Sequence, residues 1–176
     1  MYDAVKDSMA ATGTVENAAN VAKVAREKGC VVMHAPISFL EDGSDNPNKN
    51  LGILKGCAEG GLFVEGTWNS EICAEITQDE SDLKVTGKKG LDAFPGTDLE
   101  ELLMANGLTT VALCGFLSNC CVESTMRTAC EKGFNVITLK DCSATTSSEG
   151  HKGATEGTWG MFSTPMTKDE FVAALK

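Results

Sequence analysis

Short apolar runs, CVVMHA (residues 30–35), TTVALCG (109–115) and FNVITL (134–139), alternate along the chain with segments of helical spacing. Runs of this length with little polar alternation suit strands covered on both faces, and such strands are built from parallel sheets with helical crossovers. Thr14 or Asn17 can open a helix whose apolar stripe is Ala18, Val21, Ala22, Val24 and Ala25, with Gly29 at its stop. DLKVTG (82–87) reads as a further strand. Thr97 or Asp98 caps a helix through Met104, and Val122 to Lys132 has helical spacing before Gly133. Ser147 or Ser148 opens another helix, and Thr167 with Glu170 forms a capping box for the last one. Between the first two runs, Pro36 to about Gly66 is predicted to be a long irregular loop, followed by a short helix from Trp68 to Thr77. The order predicts a three-layer α/β/α domain with a mostly parallel sheet.

At 176 residues the chain fits one domain, residues 1–176. Acidic residues outnumber basic ones 25 to 15, giving a net charge of -10, and no Lys/Arg cluster is present. Nucleic acid and anionic membranes are therefore poor partners, and a small molecule is the better expectation. No apolar stretch approaches the roughly 18 residues of a membrane span, and the start MYDAVKDSMAATGT lacks a secretory pattern, so a cytoplasmic protein is expected. The eight cysteines form no CxxC pair and read as free thiols in a chain of this size. With His34 and His151 the only histidines, neither a metal nor another cofactor is expected.

In open parallel sheets, ligands sit beyond the carboxyl ends of the strands. Cys120 and Cys121 stand just after TTVALCG, at the start of the next helical pattern. A thiol in a first helical turn meets unpaired amides and the positive end of the helix dipole, which favour thiolate. Cysteine also packs as a small buried hydrophobe, and two neighbours can form only a strained disulfide, so inert packing and a redox pair stand beside the nucleophile reading.

GFLSNCCVESTMRTA (115–129) resembles the nucleophile segment of the isochorismatase-like cysteine hydrolases: a strand, Gly, apolar, small, Ser/Thr, Asp/Asn, any residue, then Cys-Val. That register selects Cys121. KKGLDAFPGTDLEELL (88–103) resembles the family segment with a lysine six residues before a phenylalanine, which points to Lys88. HAPISF (34–39) and KDCSATTSSEGH (140–151) are weaker matches in the family's order.

The resemblance implies that Cys121 attacks a small amide or carbamoyl compound and cleaves its C–N bond through a thioester, with Lys88 as electrostatic partner. It also implies a cis peptide between Phe116 and Leu117, with the amides of Leu117 and Cys121 as oxyanion donors. His34, Phe94, Asn119 and His151 become candidates for substrate binding, and Phe39, Trp68 and Trp159 for pocket walls. The acidic residue and paired histidines of zinc-carrying nicotinamidases are not found. Relatives pack as dimers or tetramers, so a homo-oligomer is implied. The family's first strand, ending in the aspartate of its triad, is expected to be absent, since neither Asp3 nor Asp7 follows an apolar run. The alternative is a non-catalytic relative acting as a binding or assembly subunit. Without the resemblance, Lys88 reads as a solvated lysine and His34 as a hydrogen-bonded histidine at a strand end.

Overall fold

A computed structural model describes residues 2–176, with side chains from Ala4 onward. Helices α1 (Tyr2–Thr12) and α2 (Thr14–Glu27) lead into strand β1 (Met33–His34). The long connection holds helix α3 (Gly52–Glu59), and strand β2 (Leu83–Lys84), helix α4 (Leu99–Ala105) and strand β3 (Thr110–Phe116) follow. Helix α5 (Glu123–Glu131), strand β4 (Asn135–Ala144), helix α6 (Ser148–Lys152), strand β5 (Thr164–Met166) and helix α7 (Lys168–Ala174) complete the order. All pairings are parallel: β1 with β2 in one sheet, and β3, β4 and β5 in that order in a second.

The expected three layers are present, built on two sheets rather than one. Along β4, Val136 packs into a core with Leu99 and Leu103 of α4 and Met126 and Ala129 of α5. Leu139 and Cys142 pack on the other side, against Val21 of α2 and Phe171 of α7. Met33 and Val85 join the first core, so the small sheet lies on the same helices as the large one. The capping box of α7 forms as the sequence indicates, Thr167 accepting from Glu170 N and the Glu170 carboxylate accepting from Thr167 N.

Three expectations need correction. CVVMHA is only half-buried and just Met33 and His34 pair as a strand, because β1 is hydrogen-bonded on one edge alone. The segment predicted as a helix from Trp68 to Thr77 forms a single tight turn, Trp68–Ser70, whose Trp68 side chain is 78% exposed and has no apolar face to dock. The predicted irregular loop contains α3, which is anchored through the buried Cys57.

The outward face of β3 (Thr110, Ala112, Cys114, Phe116) is reachable by solvent. Burial nevertheless pushes the Cys114 thiol up to about 11. Cys114 exposes area on the outer face of β3 while the protein around its sulfur still disfavours the thiolate.

Candidate active site

β3 ends at Phe116, and the Phe116–Leu117 peptide is cis, as the family resemblance implies. The chain then makes a wide π-type turn, Ser118–Val122, before α5. Both Cys120 N and Val122 N donate to Leu117 O at 3.1 Å, closing the turn on the end of the strand. Leu117, Ser118 and Val122 are buried, whereas Cys120 and Cys121 are half-buried. The thiols thus stand at the carboxyl end of a parallel strand, where such folds place ligands.

The Cys121 thiol titrates well below the ordinary thiol range. The largest cause is a hydrogen bond donated by the Cys120 S–H; burial opposes it, and the Lys88 ammonium and the amides of Leu117 and Cys121 add to it. Cys120 is pushed strongly upward by the same contact, so it stays a thiol and serves as donor. Cys120, which the family pattern leaves variable and the sequence weighed as a packing or redox partner, is therefore a neighbour of the thiolate in a role not expected for it. Cys57, buried on α3, is another: burial raises it first, and the charge of Cys121 raises it further. Adjacent cysteines were the only signal for Cys120, and nothing in the sequence marked Cys57.

Lys88 is buried at 7% exposure, against the reading as a solvated lysine, and its Nζ donates to Gly90 O at 2.7 Å. Burial lowers its pKa, opposed by the charges of Cys121, Asp92 and Cys120. The local chain is held close by packing that needs glycine. Gly87 has φ 82°, and a Cβ there would lie 2.5 Å from Gly96 O, so only glycine lets the two stretches meet. Thr125 then bridges to α5, its Oγ1 accepting from Ala93 N at 3.0 Å and donating to Cys121 O at 2.9 Å. Thr128 Oγ1 donates to Asp92 Oδ2 at 2.5 Å. The segment carrying Lys88 is thereby tied to α5, and through Thr125 to the turn that carries the thiol.

The other expected residues divide. Asn119 stands in this turn and His151 reaches it from α6: Asn119 Oδ1 accepts from Thr145 Oγ1 at 2.6 Å, and His151 Nδ1 lies 2.8 Å from Ser118 Oγ. Burial lowers the His151 pKa against the pull of the Lys140 carbonyl. His34 is engaged elsewhere, with Nε2 2.7 Å from Asp82 Oδ2, which also holds Arg26. Phe94 lies in the first core at 7% exposure, its ring centroid 6.1 Å from that of Phe134. Phe39 and Trp159 are likewise buried. Asp7 is exposed on α1; the side chain of Asp3 lies outside the described residues. Among the described residues, no group of three His, Cys, Asp or Glu is placed to hold a metal ion.

The chain is thus a parallel α/β domain with a thiolate-favouring cysteine just beyond a strand end. The isochorismatase domain model matches residues 1–170, and the chain belongs to that family. It is 34% identical over 114 residues to the isochorismatase family protein YecD of Escherichia coli O157:H7, covering 65% of this chain and 59% of that one. It is 32% identical over 124 residues to nicotinamidase 3 of Arabidopsis thaliana, covering 70% of this chain and 62% of that one. The match thus spans about three fifths of the length of both relatives. The solved N-carbamoylsarcosine amidase of Thermoplasma acidophilum superposes with a TM-score of 0.73 at 26% identity, over 89% of this chain and 83% of that one.

Proposed function

We propose that this isochorismatase-family hydrolase cleaves the C–N bond of a small amide or carbamoyl compound through a thioester on Cys121. The observation that carries the reading is the place of that thiol, half-buried just past the end of β3 with the buried Lys88 near enough for its charge to hold the thiol low. Nicotinamidase 3 and N-carbamoylsarcosine amidase, relatives by sequence and structure, are amide-directed by name, which supports the substrate class.

The thiolate attacks the carbonyl carbon, and the C=O electron pair moves to oxygen, where the Leu117 and Cys121 amides can receive it. Collapse re-forms the carbonyl and breaks the C–N bond; the nitrogen takes up a proton and leaves as ammonia or an amine. Water then attacks the thioester, releasing acid and restoring the thiol. Lys88 contributes a charge fixed close to the sulfur, worth more in a buried setting than at a surface. A cytoplasmic setting fits eight free thiols. A homo-oligomer belongs to the same proposal, supported by the exposed Leu51, Trp68, Met104 and Met161.

Mixing the protein with a panel of primary amides and carbamoyl compounds tests it. Acid quenching should trap an acyl adduct by intact mass, with ammonia or amine released and both lost in Cys121→Ser. Turnover that survives Cys121→Ser contradicts the thioester.

A further inference from the structure

Two hydrogen bonds cross from the segment after β4 to the turn that carries Cys121. Thr145, 1% exposed, donates Oγ1 to Asn119 Oδ1 at 2.6 Å. Ser118, fully buried, meets His151 Nδ1 with its hydroxyl at 2.8 Å. Between them, Gly150 lies so near the turn that a Cβ there would come within 3.2 Å of Asn119 Nδ2 and 3.3 Å of Thr145 Cγ2. Ser147 fixes this segment in turn, its Oγ accepting from Gly150 N at 3.0 Å and its carbonyl from His151 N at 3.0 Å.

The turn needs such support. Asn119 breaks the helical geometry with φ -90° and ψ 15°, so regular helix hydrogen bonds do not by themselves set its path. Ser118 and Asn119 lie between Cys121 and Leu117, whose amide helps hold the Cys121 thiol low, so the path of the turn sets where that amide and the sulfur stand relative to each other. A small rotation of the turn would move that donor away from Sγ.

We propose that His151 and Thr145 are positioning residues that clamp the Ser118–Asn119 turn and keep the Leu117 amide directed at Cys121 Sγ. This rests on the thioester reading and replaces substrate contact as the role of His151 and Asn119. The clamp acts on the thiol from one side, while Cys120, Lys88 and Cys57 are the titratable groups that face it from the others. A neutral His151 accepts the Ser118 hydroxyl proton at Nδ1, a role an asparagine side-chain oxygen can fill in part.

The test is the pH dependence of Cys121 alkylation by iodoacetamide, together with the acylation rate by p-nitrophenyl acetate. His151→Leu should raise the alkylation midpoint by about one pH unit, since a hydrogen bond to the charged form is lost. Acylation should fall about tenfold or more, because the displaced amide also serves the oxyanion. His151→Asn should restore both toward wild type. Thr145→Val and Thr145→Ser form an independent pair with the same expected contrast. A wild-type midpoint and acylation rate in both His151→Leu and Thr145→Val overturn the proposal while leaving Cys121 as nucleophile. If alkylation of the wild-type chain shows no thiol titrating below the ordinary range, the nucleophile reading falls and the clamp with it.

Discussion

Asp82 joins α2, β1 and β2 through one carboxylate. Its Oδ1 accepts from Arg26 Nε at 2.7 Å and its Oδ2 from Arg26 Nη2 at 2.6 Å, with His34 Nε2 2.7 Å from Oδ2. The three side chains are 4%, 18% and 13% exposed, so solvent replaces little of what is removed. Asp82→Asn keeps the shape but leaves one acceptor for a two-pronged donor and uncovers a cation. Charge-assisted bonds contribute about 1.5–3 kcal/mol each, which puts the cost near 3 kcal/mol at pH 7. The pH dependence follows from the Arg26 hydrogen bond, which holds the Asp82 carboxyl far below its usual range against opposing burial. A carboxyl depressed in the folded state stabilises above its unfolded pKa of about 3.9 and loses that contribution as pH falls. The gap between wild type and Asp82→Asn should therefore shrink by about 1 kcal/mol from pH 5 to pH 3. Urea unfolding at the three pH values reads both. Because His34 serves this cluster and not the thiol, alkylation of Cys121 in folded Asp82→Asn should stay within about twofold of wild type at pH 7. An unchanged urea midpoint at pH 7, or a gap that widens toward pH 3, would refute the reasoning.

Lys88→Met keeps the bulk of a buried side chain and removes the ammonium, so the Cys121 thiol should titrate higher and its alkylation at pH 7 slow about tenfold; a wild-type rate would show that Lys88 does not act on the sulfur. Thr125→Val strands the Ala93 N–H and frees the Cys121 carbonyl, for a loss of about 1–3 kcal/mol in urea unfolding and slower acylation. Met126 is fully buried between the α4 and α5 packing, and Met126→Ala should cost about 2–5 kcal/mol by the same assay.

The parallel α/β order was legible because strand and helix write different periods into the sequence. TTVALCG and FNVITL pair as β3 and the start of β4, and Ser147 and Thr167 cap α6 and α7 with their side chains; Asp98 stands at the start of α4, but its carboxylate accepts from Thr86 instead. Where the sequence misled, the cause was tertiary. CVVMHA has the composition of a central strand, but strand length depends on partners at both edges, and β1 has one. α3 was hidden by its glycines and by the loop composition around it. At the site, the resemblance of GFLSNCCVESTMRTA and KKGLDAFPGTDLEELL to the family's segments implied the cis bond that is present and directed attention to Cys121 and Lys88. The bonds of Thr125 to Ala93 and of Thr145 to Asn119 were not legible, because a threonine that bonds across 32 or 26 residues looks like any other threonine. His34 and Phe94 show the converse. Both lie near recognised motifs, yet a carboxylate 48 residues away claims the histidine and the core claims the ring.

One measurement bears most directly on the sulfur of Cys121. The native protein is treated at pH 7 with limiting iodoacetamide, and the eight cysteine sites are followed by peptide mass spectrometry. A half-buried but ionised Cys121 should alkylate first, ahead of the exposed Cys30 and Cys73, with Cys57, Cys114 and Cys142 slowest. Labelling that follows exposure alone, with Cys30 and Cys73 leading and Cys121 behind them, contradicts the account.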